Sequence, residues 1–237
     1  FEEKYNKNLK MTTSQPSIQS VDSLFSFLEG KYDHIIVISV SSQLSGTYQL
    51  IKQRIREKKV TENQVHLIDS KLNSVAQGLL VKQAVKIISE EKPIEAILNE
   101  IENIIDRVFI YVAVADLSPM INSGRIPKFL GEVAQKISMH PIISLDKRGN
   151  GKLIGGSFSQ ARSMDKILKK IVLLSKKGQI EELALTHVLS KEAALKLNEI
   201  IKEKTTKNSE ILNSSAAIGI SAGLGSLAVA GLLKEVQ

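Results

Sequence analysis

The chain has 237 residues, of which 43% are hydrophobic and 24% charged, proportions that exclude disorder, collagen and coiled coil as the main state. It contains no cysteine and no tryptophan, which removes disulfide frameworks, thiolate metal sites and cysteine nucleophiles, and leaves few aromatics for stacking nucleic-acid bases. Lys and Arg outnumber Asp and Glu by 32 to 25, a net charge of +7. That excess favours anionic partners, but the basic residues are spread among acids and no DNA- or RNA-reading signature accompanies them, so no nucleic-acid partner is expected.

Phe1–Lys10 has no apolar core and does not read as a signal peptide. Pro16–Gly30 is expected to be helical, with Val21, Leu24, Phe25 and Leu28 on one stripe and Gly30 as its stop. A buried strand, His34–Val40, follows, then a helix over Leu44–Lys58 and a second strand over Gln64–Asp69. Two helices, Ser74–Ser89 and Pro93–Arg107, lead to a third buried strand, Val108–Ala115. This alternation predicts βα units and a parallel sheet.

The pattern then changes. Leu117–Lys128 reads as a loop leading into a short helix. Pro141–Leu145 and Lys152–Phe158 flank Asp146-Lys147-Arg148-Gly149-Asn150-Gly151, a hairpin signal. Helix Ala161–Lys177, strand Glu182–Leu189, helix Lys191–Lys204 and strand Glu210–Ile220 complete the reading. The fold class is therefore α/β: a parallel α/β sheet domain over residues 1–138, then a smaller α+β domain over 139–237; the ligand cleft expected between them rests on the resemblance described below. Ile211–Leu233 has no charged residue, long enough to span a bilayer. Its serines and glycines favour a buried strand, a glycine turn and a C-terminal helix, and the protein is expected in the cytoplasm.

In an open parallel sheet, ligands bind beyond the carboxyl ends of the strands, at helix N-termini. Three such segments carry clustered hydroxyls: Thr12–Ser17, Ser39–Tyr48 and Asp69–Ser74. Neutral donors converging on one point suit a carboxylate or small oxyanion. Each cluster alone reads as ordinary helix capping; three at one sheet edge favour a ligand. Ser45 has no GxSxG elbow and no fixed His or acid partner. His34, His66, His140 and His187 are isolated, and nothing in the pattern suggests a metal site.

Longer motifs carry a resemblance. Thr13-Ser14-Gln15-Pro16-Ser17 is similar to the TSQPS signature of the DegV family of fatty-acid-binding proteins, and Ser42–Tyr48 is similar to its SxLSGTY signature. Ile68-Asp69-Ser70 with Gln77-Gly78 resembles the DS…QG segment. Gly124-Arg125-Ile126 resembles the GGRI loop, with Ser123 in place of the first glycine. His140–Ile143 resembles the KPIL strand, and Arg162 corresponds to a basic residue after the hairpin. Two departures stand out. The family's N-terminal strand and Asp-Ser loop would precede this chain's first residue, and the family's HxGPG reads Ser221-Ala222-Gly223-Leu224-Gly225.

The resemblance implies a carrier and not an enzyme. One long-chain fatty acid would lie in an interdomain tunnel and be presented to a separate fatty acid kinase that forms acyl phosphate. Ligand contacts are implied for Thr13, Ser14, Ser45, Gly46, Thr47, Ser70, Arg162 and Ser221, with Arg125 assigned to the partner. No cofactor is implied beyond the bound fatty acid, and the surplus positive charge would serve the kinase or a transient contact with anionic membrane. The enzymatic rival is an acyl or phosphoester hydrolase or transferase using Ser45.

Overall fold

The computed structural model describes residues 11–58, 65–127 and 139–235. Phe1–Lys10, discussed above as no signal peptide, and the short helix expected beyond Lys128 lie outside the described residues. Helix α1 (Ile18–Leu28) starts where the Ser17 hydroxyl accepts the Ser20 N–H at 3.1 Å. It buries Val21 and Phe25 against Leu50 and Ile55 of α2 (Thr47–Lys58) and Val65 of the adjoining sheet. That sheet is a parallel pair, β1 (Ile35–Ser39) and β2 (Val65–Asp69), in register from Ile35 opposite Val65 to Ser39 opposite Asp69.

Next come α3 (Ser74–Ile88) and α4 (Ile94–Ile105), the latter opened by Pro93. Ile97, Ile101, Ile104 and Ile105 recur at helical spacing, so α4 buries one stripe. With Leu79 and Leu80 of α3, this stripe forms one core that touches Ile36, Ile38 and Ile68 of the small sheet as well as Ile110, Ala184 and Ala230 of a larger one. The two helices are thus the layer that joins the two sheets.

The remaining elements are β3 (Val108–Ala113), α5 (Ser118–Asn122), β4 (His140–Leu145), β5 (Gly151–Ser157), α6 (Gln160–Lys176), β6 (Ile180–His187), α7 (Lys191–Thr205), β7 (Ser209–Asn213), α8 (Ala216–Ala222) and β8 (Leu227–Leu233). The six-stranded sheet runs β5-β4-β3-β8-β6-β7. Only β6–β7 pair in parallel; the other four pairings are antiparallel. Its second face is covered by Met164, Ile167 and Ile171 of α6 and Leu197 and Ile201 of α7.

The α/β class is as expected, but its internal arrangement differs in two places. Val108–Ala115 was expected to extend the parallel sheet; instead β3 sits between β4 and β8, antiparallel to both. A continuous apolar run signals burial on both faces and says nothing of strand direction. The large sheet therefore draws strands from both sides of residues 138 and 139. Second, the expected strand Glu210–Ile220 ends at Asn213, and the helix Ala216–Ala222 precedes, where it was expected to follow, the last described strand, Leu227–Leu233. Leu227–Leu232 are all buried because β8 is a central strand, which explains the uncharged run. Gly231 is required there: a Cβ would lie 2.4 Å from the ring of Phe109, its cross-strand partner. Among the described residues, no helix is long and apolar enough to cross a membrane.

Candidate functional site

The loops after β1 and β2 are tied together by one carboxylate. Asp69 Oδ1 accepts the N–H groups of Ser42 (3.1 Å) and Lys71 (3.0 Å), and the Ser41 N–H bonds Leu72 O at 2.8 Å. Onto this pair docks the expected β4–β5 hairpin. Asp146 Oδ1 accepts the N–H groups of Arg148 and Asn150, shaping the turn, while the Ser41 hydroxyl donates to Gly149 O at 2.9 Å. Gly149 has φ +87°, and a Cβ there would lie 2.2 Å from Ser41 Oγ. The hairpin thus bolts the large sheet to the carboxyl edge of the small one.

Between them lies a cavity of about 550 Å³, within the range of small-molecule sites. Its apolar wall includes Val40, Leu44, Val75, Ile110, Val112 and Ile143. At one end, the Ser45 and Thr47 hydroxyls are 2.8 Å apart beside the start of α2, and Ser45 Oγ accepts the Thr47 N–H. Arg125 closes the same end. Its guanidinium donates to Ser123 O (2.8 Å), Leu44 O (3.3 Å) and Thr13 Oγ1 (3.3 Å). Among the described residues lining the cavity, Arg125 is the one charged side chain. A guanidinium only donates hydrogen bonds, and with three hydroxyls beside it the cluster suits a single carboxylate at the end of an apolar chain.

Of the expected ligand residues, Thr13, Ser14, Ser45, Thr47 and Ser221 line the cavity. Three do not. Gly46 lies beside the wall with its Cα facing Gln15, whose Oε1 would be 2.1 Å from a Cβ. Ser70 is fully buried, its hydroxyl accepting from the Leu72 N–H and donating to Leu72 O, so it holds a turn. Arg162 is exposed in the first turn of α6, whose apolar stripe packs on the face of the large sheet away from α3 and α4. Arg125, assigned from sequence to a partner, is half-buried in the cavity wall.

Asn73 and Ser74, from the expected Asp69–Ser74 cluster, also line the cavity, but the sequence reading missed the wall supplied by the large sheet and its flank: Ser144, Thr186 and Ser214. Single polar residues inside strand patterns gave no motif to find them by. No histidine, lysine or carboxylate is among the described lining residues, so none of these residues offers Ser45 a general base. His187 lies on the opposite sheet face, and its imidazole is held below the ordinary range by burial and then by nearby Lys191. Among the described residues there is no cluster of three metal-ligating side chains.

The profile of the DegV family, described as an uncharacterised protein family, matches residues 1–234. A DegV domain-containing protein of Clostridium perfringens is 28% identical over 226 residues, covering 95% of this chain and 79% of that protein. The crystal structure of DegV, a fatty acid binding protein from Bacillus subtilis, superposes with a TM-score of 0.83 at 26% identity, covering 98% of this chain and 82% of that one. A DegV family protein from Eubacterium eligens, loaded with heptadecanoic acid, gives a TM-score of 0.80 at 21% identity and covers 94% of this chain and 80% of its own.

Proposed function

Because the chain belongs to the DegV family, we propose that it binds one long-chain fatty acid in the cavity between the two sheets. The observation that carries this reading is the pairing of a long apolar wall with one cation, Arg125, at one end. Each methylene buried there contributes roughly 0.8 kcal/mol, so the acyl chain supplies most of the affinity. Thr13, Ser45 and Thr47 orient the carboxylate and Arg125 neutralises it. The relatives from Bacillus subtilis and Eubacterium eligens, described as fatty acid binding and loaded with heptadecanoic acid respectively, support the same ligand class.

The protein acts as a carrier that presents the acid to a separate kinase, and it needs no cofactor. Support for the carrier role is the absence of any acid–base residue among the described lining of the cavity, which leaves Ser45 unactivated. The net charge of +7 exceeds what one carboxylate requires and suits an acidic kinase surface or an anionic membrane. Native mass spectrometry of the purified chain tests the ligand. A retained mass equal to one fatty acid, lost on delipidation and restored by added oleate, is the expected result. A chain that neither retains nor takes up any fatty acid overturns the reading.

A further inference from the structure

The cavity has a second polar zone, distant from Arg125, that a plain acyl chain leaves unused. Ser144 on β4 and Thr186 on β6 both line the cavity, and β3 and β8 lie between their strands. Three strand spacings separate them, on the order of 14 Å. The Arg125 end belongs to the β4–β5 side, since a Cβ on Gly151 of β5 would sit 2.5 Å from Arg125 O. The β6 side carries Thr186, whose hydroxyl is 2.9 Å from that of Ser214. Asn73 and Ser74 complete this zone from the start of α3.

Two observations make the zone look built to receive an oxygen. Asn73 holds the cap position of α3 yet its side chain makes no cap hydrogen bond, and Ser74 beside it has φ +50°. An asparagine at that position ordinarily caps, and a non-glycine residue in left-handed backbone concentrates at ligand sites. In addition, Asn73, Ser74, Thr186 and Ser214 all border a side pocket of about 50 Å³ that none of Thr13, Ser45 or Arg125 reaches. The Thr186–Ser214 pair uses one hydroxyl proton internally. One O–H and free lone pairs remain, and the Asn73 amide adds donors and an acceptor.

We propose that the cavity selects a hydroxylated fatty acid, with the chain hydroxyl seated against Thr186, Ser214 and Asn73. This rests on the fatty-acid reading above and names the class of acid. A hydroxyl both donates and accepts, which matches the mixed character of the zone. A site built to hydrogen-bond a ligand hydroxyl discriminates against the analogue lacking it, because its own polar groups are then left unpaired.

The test titrates the delipidated full chain with stearate and with a set of its mono-hydroxylated positional isomers. At least one isomer is expected to bind about tenfold more tightly than stearate. The T186V/S214A double variant should reduce that preference below about twofold. If the double variant fails to fold, N73A carries the same expectation of a reduced preference. Stearate binding as tightly as every isomer in the unaltered chain, as when water fills the side pocket, overturns the proposal while leaving fatty-acid binding intact. A preference that survives the substitutions also overturns it. Failure of a folded chain to bind any of these acids removes the fatty-acid reading and this proposal together.

Discussion

Arg125 Nη2 donates to Thr13 Oγ1 at 3.3 Å across 112 positions of sequence, joining the segment before α1 to the loop after α5 at one end of the cavity. Thr13 is oriented by a cation whose other hydrogen-bond partners among the described residues are the Ser123 and Leu44 carbonyl oxygens. A ligand carboxylate would therefore meet a hydroxyl and a positive charge already aligned.

The first prediction follows from that alignment. A hydrogen bond to a charged group contributes about 1.5–3 kcal/mol net, so R125A should weaken fatty-acid binding by roughly ten- to a hundredfold. R125K should recover part of this, because an ammonium keeps the charge without the planar fork. T13V should cost less than R125A. The control is the matching fatty alcohol, titrated by calorimetry, whose affinity should barely respond to R125A. Equal losses for acid and alcohol would mean that Arg125 acts on the shape of the cavity and not on a carboxylate.

A second prediction concerns the hairpin contact. G149A places a methyl against Ser41 Oγ and 2.9 Å from Lys71 Cα, at φ +87°. Left-handed strain of about 1–3 kcal/mol adds to the displacement of the bond between Ser41 and Gly149 O. G178A has a similar φ of +68° but nothing within 4 Å, so it reports the strain alone. Thermal unfolding should show a larger drop in Tm for G149A than for G178A. Similar drops would show that the hairpin contact contributes little.

Much of this architecture was legible in the sequence, and the exceptions have physical causes. The helices α3, α4, α6 and α7 and the strands β1 and β2 followed from apolar periodicity, and the hairpin from Asp146 and Gly149. Strand direction was not legible at β3, which is a continuous apolar run whichever way its neighbours lie, and β8 was expected to be a helix because periodicity alone does not separate a short buried strand from a buried helix. At the site, Thr13, Ser45 and Thr47 were found through local motifs whose hydroxyls cluster in sequence. Ser144, Thr186 and Ser214 come together only through the pairing order of the large sheet, which no local pattern encodes. Arg125 was singled out as a partner contact at the cleft, and only the structure shows its guanidinium against Leu44 O and Thr13 Oγ1 in the cavity wall.

The third prediction separates ligand residues from structural ones. S70A removes a buried hydroxyl that satisfies both the N–H and the O of Leu72. It should destabilise the fold by about 1–3 kcal/mol, leaving fatty-acid affinity close to that of the unaltered chain. R162A should change neither quantity, because Arg162 is exposed on the far side of the large sheet. Paired denaturation and calorimetry decide this. A marked loss of affinity in R162A would return that residue to the ligand site.

The last prediction concerns acid sensitivity. At the amino end of the small sheet, remote from the cavity, His34 Nδ1 and His66 Nε2 are 3.1 Å apart. One nitrogen donates and the other accepts, so the bond requires at least one of the two rings to be neutral. The His66 imidazole is held below its ordinary value, first by burial and second by the charge of His34, with Glu95 acting weakly the other way. The unfolded chain therefore takes up a proton at higher pH than the folded one. Its stabilising contribution is complete above the unfolded value of about 6.5 and is lost as pH falls from there through the lower folded value. Denaturant unfolding between about pH 7.5 and pH 5 should show falling stability, above the range where carboxylates protonate. H66Q should flatten part of that slope, and the remainder should track His187, which is depressed by burial and Lys191. A slope unchanged in H66Q would show that the contact between His34 and His66 contributes no acid sensitivity.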